Sequence, residues 1–375
     1  MTSAEHKLLA VASLLNPDAQ HMKQMQLLLP QVKNMDAFIS LATKEGLAGL
    51  LYNNLLKSGL FETLSSTQKQ KLYAHYYQTV RLNLIRIHEL KEVLRKLAPT
   101  DIRVVLLKGI TLIQELYKNI GLRSMTDIDL WILPDDFKGL TAILIRIGYK
   151  QDPLYSTTFR KGLTTLDLKT HLLGADRIKS RTLLLAKDQE YIFRNTRALS
   201  VDGYKALGLD PYDQVLYLGL HAFKHNVDQL ICLVDIRGLT MDWTPSDWLA
   251  LHARAKEMGL EKTLFFILFL LQQLLDYQQP MATIGKGTGR SISLLEKKIL
   301  NLRIKKGALP EWAPLIFFSG EKNLKKQTMY IFETLFPRPA ILRQGFKDYP
   351  NLKVWQLYVM RVFQLAGRAV TSLFK

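Results

Sequence analysis

Apolar side chains in the first hundred residues recur every three or four positions, which is the period of an amphipathic helix. The pattern is clearest in TQKQKLYAHYYQTVRLNLIRIHELKEVLRKLA, which ends just before Pro99. Proline lacks the backbone N–H that a helix interior requires, so this helix is predicted to end there. Residues 1–98 are therefore predicted to form an N-terminal helical region.

The spacing of apolar positions changes between residues 99 and 200. DIRVVLLKG and DIDLWIL are short β-rich runs, and ITLIQELYK between them has helical spacing. DDFKGLTAILIRIGY is predicted to be a helix that ends at Gly148. Two further strands are predicted at TTFRK and LTTLDLKT, on either side of a hairpin turn at Gly162. This stretch is therefore predicted to be an α/β core.

Helical spacing returns near Asp210 and continues to the last residue, interrupted by segments that contain glycine and proline. The most apolar run, Leu264 to Leu271, is far shorter than the roughly 20 residues needed to cross a bilayer, so a buried helix is predicted there. Residues 201–375 are predicted to form a helical C-terminal region. The predicted fold class is α+β, with a mixed-sheet core between two helical regions.

The chain is strongly basic, with 51 Lys and Arg against 33 Asp and Glu and a formal net charge of +18. The segment from Met281 to Lys375 holds 17 basic and 5 acidic residues, so most of the excess lies in the last quarter of the chain. Such an excess predicts attraction to nucleotides, nucleic acid or anionic lipid. A single cysteine, Cys232, excludes an intrachain disulfide, and the N-terminus lacks an export signal, so a cytoplasmic location is expected.

Two carboxylates stand at alternate positions of the predicted strand TDIDLWIL. Asp127 and Asp129 are two residues apart, so their side chains leave the same face of the strand. Neighbouring carboxylates repel one another unless a cation lies between them, and a hard divalent metal such as Mg²⁺ is the natural partner. The alternative interpretation is a strand that simply faces solvent.

The order of these segments resembles a known family. The strand ending in LLKG, the RSMTDIDL segment, the DDF helix that closes in GY, and the later HAFKH and VDIRGLTMDW segments are similar to the largely uncharacterised bacterial nucleotidyltransferases, a branch of the polymerase-β-like superfamily. The resemblance covers roughly residues 80–275. It implies a metal-dependent enzyme that transfers a nucleoside monophosphate from an NTP, with ATP expected, to an acceptor hydroxyl or phosphate.

Three carboxylates correspond to the catalytic set of the superfamily. The resemblance implies that Asp127 and Asp129 hold two Mg²⁺ or Mn²⁺ ions, and that Asp167, in LDLKT, completes the metal site and helps to activate the acceptor hydroxyl. The third carboxylate strand of the family often reads Asp-Leu-His. Here Lys169 stands at the histidine position, and His171 follows two residues later.

The resemblance also implies nucleotide-binding residues. Gly109 would let the backbone approach a phosphate, while Lys108 and Arg123 would supply positive charge; the alternative for both cations is a solvated surface position. Lys108-Gly109 replaces the Gly-Ser pair of the wider superfamily. This replacement supports an alternative function, a catalytically inactive nucleotide-binding regulatory module.

His221 and His225 lie one helical turn apart in LHAFKHNVD. Helix packing is the favoured interpretation of this pair. A contact with the nucleotide or acceptor, or a zinc site completed by Asp228 or Asp235, are the alternatives. The GKGTGR segment lacks the spacing of a P-loop and is predicted to be a basic loop.

The last predicted helix carries apolar residues on one side and basic residues near its edges. Trp355, Tyr358, Val362 and Leu365 are expected to pack on the helical region, and contact with an anionic membrane is the alternative. A basic membrane-peripheral or RNA-binding scaffold is therefore a further candidate function. The acceptor is open from sequence: a sugar, a metabolite, a protein side chain or an RNA end.

Overall fold

The structure is a computed structural model that describes residues 3–175, 177–278, 292–310, 312–313 and 324–374. GKGTGR lies outside these residues. The predicted α+β class is confirmed, because the chain forms a seven-stranded mixed sheet that is preceded and followed in sequence by helices.

Five helices form the N-terminal part of the chain. The longest begins with a capping box, in which the Ser65 side chain accepts from the Gln68 backbone N–H and the Gln68 side chain accepts from that of Ser65. It ends two residues before Pro99, as the sequence predicts. The helices are α1 (Ser3–Ala12), α2 (Ala19–Leu28), α3 (Met35–Lys44), α4 (Ala48–Lys57) and α5 (Ser66–Leu97).

Seven strands form one sheet, in the order β3-β4-β5-β2-β1-β7-β6. The pairs β2–β5 and β1–β7 are parallel and the other pairs are antiparallel. The strands are β1 (Val105–Leu107), β2 (Ile128–Trp131), β3 (Lys150–Gln151), β4 (Thr158–Lys161), β5 (Thr164–Lys169), β6 (Arg197–Val201) and β7 (Tyr204–Gly208).

The four predicted strands of the core are all present. The hairpin between β4 and β5 turns at Gly162, whose φ of 54° is the left-handed conformation that suits glycine. A second hairpin, β6–β7, was not predicted, although its turn residues Asp202 and Gly203 are typical of a two-residue hairpin and both have positive φ. Because β7 pairs with β1, the sheet continues beyond residue 200.

Short helices connect the strands of the sheet. Gly109–Leu112 forms α6, which continues as a π-helical turn over Ile113–Tyr117, and Phe137–Arg146 forms α7. A 3₁₀ helix spans Lys179–Leu184, and α8 spans Gln189–Arg194.

The two faces of the sheet have different environments. One face packs against α5 and α7 and includes the alternate residues Leu106, Ile128 and Leu130. On the opposite face, Val105, Leu107 and Trp131 pack into a larger core. This core also contains residues of the N-terminal helices and of the C-terminal helices. Strand alternation therefore turns Asp127 and Asp129, which precede Trp131 by four and two residues, towards this second face.

The predicted helical region 201–375 begins with β7, and helices follow from Pro211 onwards. The helices of the described residues are α9 (Pro211–Lys224), α10 (Ile231–Thr240), α11 (Pro245–Met258), α12 (Glu261–Leu275), α13 (Leu294–Lys306), α14 (Leu324–Leu335), α15 (Pro339–Gly345) and α16 (Val354–Phe374). Every residue from Leu264 to Leu271 is buried, which confirms the predicted buried helix. Within the described parts of the chain, no helix has the length and apolar character required to span a bilayer.

The packing expected for the last helix is wrong for two of its residues. Trp355 is 63% exposed and Val362 is 49% exposed. Tyr358 is held as expected, because its hydroxyl donates to the carbonyl of Pro337 at 2.7 Å. One apolar side of α16 is therefore left open to solvent.

Candidate functional site

Backbone register brings the three predicted carboxylates together. β2 and β5 run parallel with Asp129 directly opposite Asp167, and Asp127 lies on the same side of β2. One oxygen from each of the three side chains lies within 4.8 Å of the other two. The structure therefore brings the three carboxylates together, and their role in metal binding stays a prediction.

Two lysines lie among the carboxylates. Asp129 is only 2% exposed; Lys108 Nζ contacts its Oδ2, and Lys169 Nζ lies 2.8 Å from its Oδ1. Lys169 Nζ also donates to Asp167 Oδ2 at 2.7 Å. The third carboxylate, Asp127, is only partly buried and accepts from the hydroxyl of Thr126 at 2.9 Å.

These ion pairs keep the central groups charged. Burial alone would raise the pKa of Asp129, but the neighbouring ammonium groups of Lys108 and Lys169 lower it below its ordinary value. Burial would conversely lower the pKa of Lys169, and the Asp129 carboxylate raises it well above the usual value. Both partners are therefore ionised at neutral pH.

The carboxylate set fits a hard divalent cation. Asp129 Oδ1 is buried and lacks a hydrogen bond of good geometry despite its proximity to Lys169. A buried oxygen without a hydrogen bond is energetically costly, and three converging carboxylates are the donors that Mg²⁺ and Mn²⁺ prefer. Asp127, Asp129 and Asp167 can therefore hold such an ion, provided that the two ammonium groups move off Asp129.

Lys108 has an unusual backbone conformation. Its φ of 55° and ψ of −126° are rare for a residue with a side chain, and they turn the chain sharply from β1 into α6. Such a conformation costs on the order of 1–3 kcal/mol and persists only where surrounding contacts fix it. Its ion pair with Asp129 is one such contact, so strain is stored beside the carboxylates.

Gly109 has a packing role in the structure. A Cβ built at this position would lie 2.7 Å from Arg123 Nη1 and 2.7 Å from Met125 Cγ, so no larger side chain fits without movement of its neighbours. The expected approach of its backbone to a phosphate stays a prediction.

Arg123 is buried and forms an ion pair with Asp235 of α10. Its Nε lies 2.9 Å from Asp235 Oδ1 and its Nη2 lies 2.7 Å from Asp235 Oδ2, while the Tyr117 hydroxyl donates to the same carboxylate at 2.7 Å. Burial would lower the pKa of Arg123, but the charge of Asp235 raises it. Arg123 thus joins α10 to the core rather than standing on the surface, and its contact with nucleotide stays a prediction.

The two histidines pack against each other at the end of α9. The ring centroids of His221 and His225 are 4.6 Å apart. Burial, followed by the charges of neighbouring lysines, lowers the pKa of His221 well below its ordinary value and that of His225 to about 4, so both rings are neutral at pH 7. Asp235 pairs with Arg123 instead, and within the described residues only the three aspartates form a group that could hold a metal ion, so the zinc alternative has no support.

Several charged residues near the site were not predicted. Lys169 could have been recognised, because it stands two residues after Asp167 and strand alternation puts both on one face. Arg86 of α5 is 7% exposed, and its Nε and Nη1 have no hydrogen-bond partner. Burial lowers the pKa of Arg86, and the negative charge of Asp127 offsets only part of this effect. Nothing in the local sequence identifies Arg86, since it sits within ordinary helical spacing.

Comparison with known proteins agrees with this geometry. The sequence model of a family described as uncharacterised nucleotidyltransferases matches residues 31–276, which include every carboxylate and lysine of the site. No curated protein matches the chain. On this match, the chain belongs to the uncharacterised nucleotidyltransferase family.

Proposed function

We propose that the protein transfers a nucleoside monophosphate from an NTP, with ATP as the expected donor, to an acceptor hydroxyl or phosphate. The observation that carries the proposal is the convergence of Asp127, Asp129 and Asp167 on one face of the sheet, the face that packs into the larger core. Membership of the family supports the reaction class. The identity of the nucleotide and of the acceptor belongs to the proposal.

The three aspartates would hold Mg²⁺ or Mn²⁺, and such ions supply Lewis-acid stabilisation of the charge on a reacting phosphate. Asp167 would accept the proton of the acceptor hydroxyl as the hydroxyl oxygen bonds to the α-phosphorus and the bond from that phosphorus to pyrophosphate breaks. If the ammonium group of Lys108 moves away from Asp129, it can stabilise the negative charge of the triphosphate.

A metal-dependence experiment tests the proposal. Calorimetry with a non-hydrolysable ATP analogue should show binding that needs Mg²⁺ or Mn²⁺ and that is lost in Asp127→Asn. This variant is chosen because Asp127 is only partly buried and is not paired with either lysine, so folding should survive the change. Equal analogue affinity in wild type and Asp127→Asn, with metal present, would contradict the proposed metal site.

A second candidate function has its own support. The ammonium groups of Lys108 and Lys169 already lie on both oxygens of Asp129, so they can take the place of metal ions in a nucleotide-binding module without catalysis. In that case the analogue should bind equally well with EDTA and with Mg²⁺. The same calorimetry therefore separates the two functions.

A further inference from the structure

A pocket with basic walls adjoins the carboxylate site on the opposite side of Lys169. It lies between α9 and the segment that follows β5. Its charged and polar lining residues are Lys169, Arg181, Tyr217, His221 and Lys224, and its apolar lining residues are Leu172, Leu173 and Leu220.

The three cations of this pocket differ in their partners. Lys169 is paired with Asp129 and Asp167, on the side of the carboxylate site. Arg181 donates to the backbone carbonyl of Leu173 at 3.2 Å. Across the described parts of the chain, no acidic side chain lies within ion-pair distance of Lys224.

The positive charge of Lys224 destabilises the folded protein in this position. Burial, and then the positive charges of Lys169 and Arg181, lower its pKa to about 7. A partly buried cation beside other cations destabilises the fold unless an anion neutralises it. Just as three converging carboxylates favour a cation, the converging cations of this pocket favour an anion.

We propose that the pocket binds a phosphate group of a substrate, held by Lys224 and Arg181 with Lys169 at its inner wall. A dianionic phosphate matches two or three convergent positive charges, and the leucines on the remaining walls suit the less polar part of the molecule that carries it. The assignment to a substrate rests on the proposed nucleotidyl transfer. Because Lys169 is shared, the phosphate would lie next to the reacting groups.

Sulfate binding tests the pocket without nucleotide or metal. Sulfate keeps its double charge across the pH range in which phosphate titrates. Calorimetric titration at constant ionic strength should show sulfate binding to the wild type and binding weakened about 10-fold or more in Lys224→Met, since a charge-assisted contact is worth roughly 1.5–3 kcal/mol. Lys224→Arg should retain most of the affinity.

A charge-matched control separates the pocket from general attraction to a basic protein. Lys33 is exposed and lies between α2 and α3, so Lys33→Met changes the net charge equally and should bind sulfate as the wild type does. Melting temperatures establish that each variant is folded. Equal sulfate affinity in Lys224→Met and wild type, or equal losses in Lys224→Met and Lys33→Met, would overturn the proposal.

The two sources of the phosphate are distinguished by competition. If the group belongs to the acceptor, the ATP analogue with Mg²⁺ and sulfate should bind together. If it is the terminal phosphate of the nucleotide, the analogue should displace sulfate, and Lys224→Met should weaken ATP far more than AMP. Should the analogue fail to bind at all, the proposed transfer fails while the sulfate result stands.

Discussion

The ammonium group of Lys169 lies 2.8 Å from Oδ1 of Asp129, the most deeply buried carboxylate of the candidate metal site. The sheet thus supplies a cation of its own where a divalent ion is expected. Lys169 and a metal ion would share the same oxygen, so they should compete for it. This competition gives the first prediction.

Replacing Lys169 by methionine should strengthen metal binding. Without metal, Lys169→Met should melt at a lower temperature than the wild type, because Asp129 loses one of its two counter-charges. Millimolar Mg²⁺ or Mn²⁺ should raise the melting temperature of the variant more than that of the wild type. Equal metal-induced shifts in the two proteins would show that Lys169 does not compete.

Asp129 and Asp127 should differ in their effect on stability. Asp129→Asn leaves two buried ammonium groups without their shared carboxylate, so it should cost about 3–5 kcal/mol of unfolding free energy. Asp127→Asn should cost less than about 1 kcal/mol, since Asp127 is only partly buried and accepts a hydrogen bond from the neighbouring Thr126. Urea unfolding of both variants without metal measures the difference, and similar costs would contradict this assignment of the ion pairs.

The sequence predicts the carboxylate site better than its basic surroundings, for a physical reason. Strand alternation fixes the shared face of Asp127 and Asp129, whereas Asp167 on β5 is predicted from the family resemblance. Lys169 obeys the same alternation, but its role depends on the register of β5 against β2. The partner of Arg123 lies 112 residues away, so no local pattern could reveal it.

The fold shows the same division between local and distant information. α5 and the β4–β5 hairpin follow from periodicity and a glycine turn. The β6–β7 hairpin has a recognisable Asp-Gly turn, but it lies between the helices α8 and α9, and the pairing of β7 with β1 joins residues that are distant in sequence. Lys224 is an ordinary basic residue in the last turn of a helix by sequence, and only the packing of α9 shows that it is partly buried at a pocket.

Lys224→Met should stabilise the protein in the absence of ligand. The pKa of Lys224 is about 7 in the folded state, against an ordinary value of 10.5, so its charge opposes folding at neutral pH. The penalty is complete below about pH 7 and shrinks as pH rises towards the unfolded value. We expect a gain of about 1–3 kcal/mol at pH 7 that disappears near pH 10.5, measured by urea unfolding across this range. A loss of stability on substitution would show that Lys224 has a structural role.

Sulfate affinity should fall as pH rises. Free Lys224 loses its proton near pH 7, and a bound anion raises that pKa, so binding is accompanied by proton uptake above pH 7. His225, with a pKa of about 4, and His221, also lowered, stay neutral throughout and do not contribute. Titrations between pH 6 and 9 should show a decline that is absent in Lys224→Arg. A flat profile in the wild type would contradict a role for the Lys224 charge.

The open side of α16 gives the last prediction. Trp355, Val359, Val362 and Phe363 are each 46–72% exposed, and their spacing places them on one face of the helix. Basic residues dominate the surrounding quarter of the chain, so an anionic membrane is the partner that matches both its charge and its apolar face.

Binding to vesicles that contain phosphatidylserine should therefore keep an apolar component at high ionic strength, where Debye screening removes the electrostatic part. Trp355→Glu should abolish this component without lowering the melting temperature, because the side chain is 63% exposed. Lys353→Met is the matched control and should weaken only the salt-sensitive part, since it lowers the net charge by one, as Trp355→Glu does, but leaves the apolar face intact. Two results together would assign the face to a second copy of the chain instead. The wild type would sediment as a dimer that Trp355→Glu dissociates, and its vesicle binding would disappear at high salt.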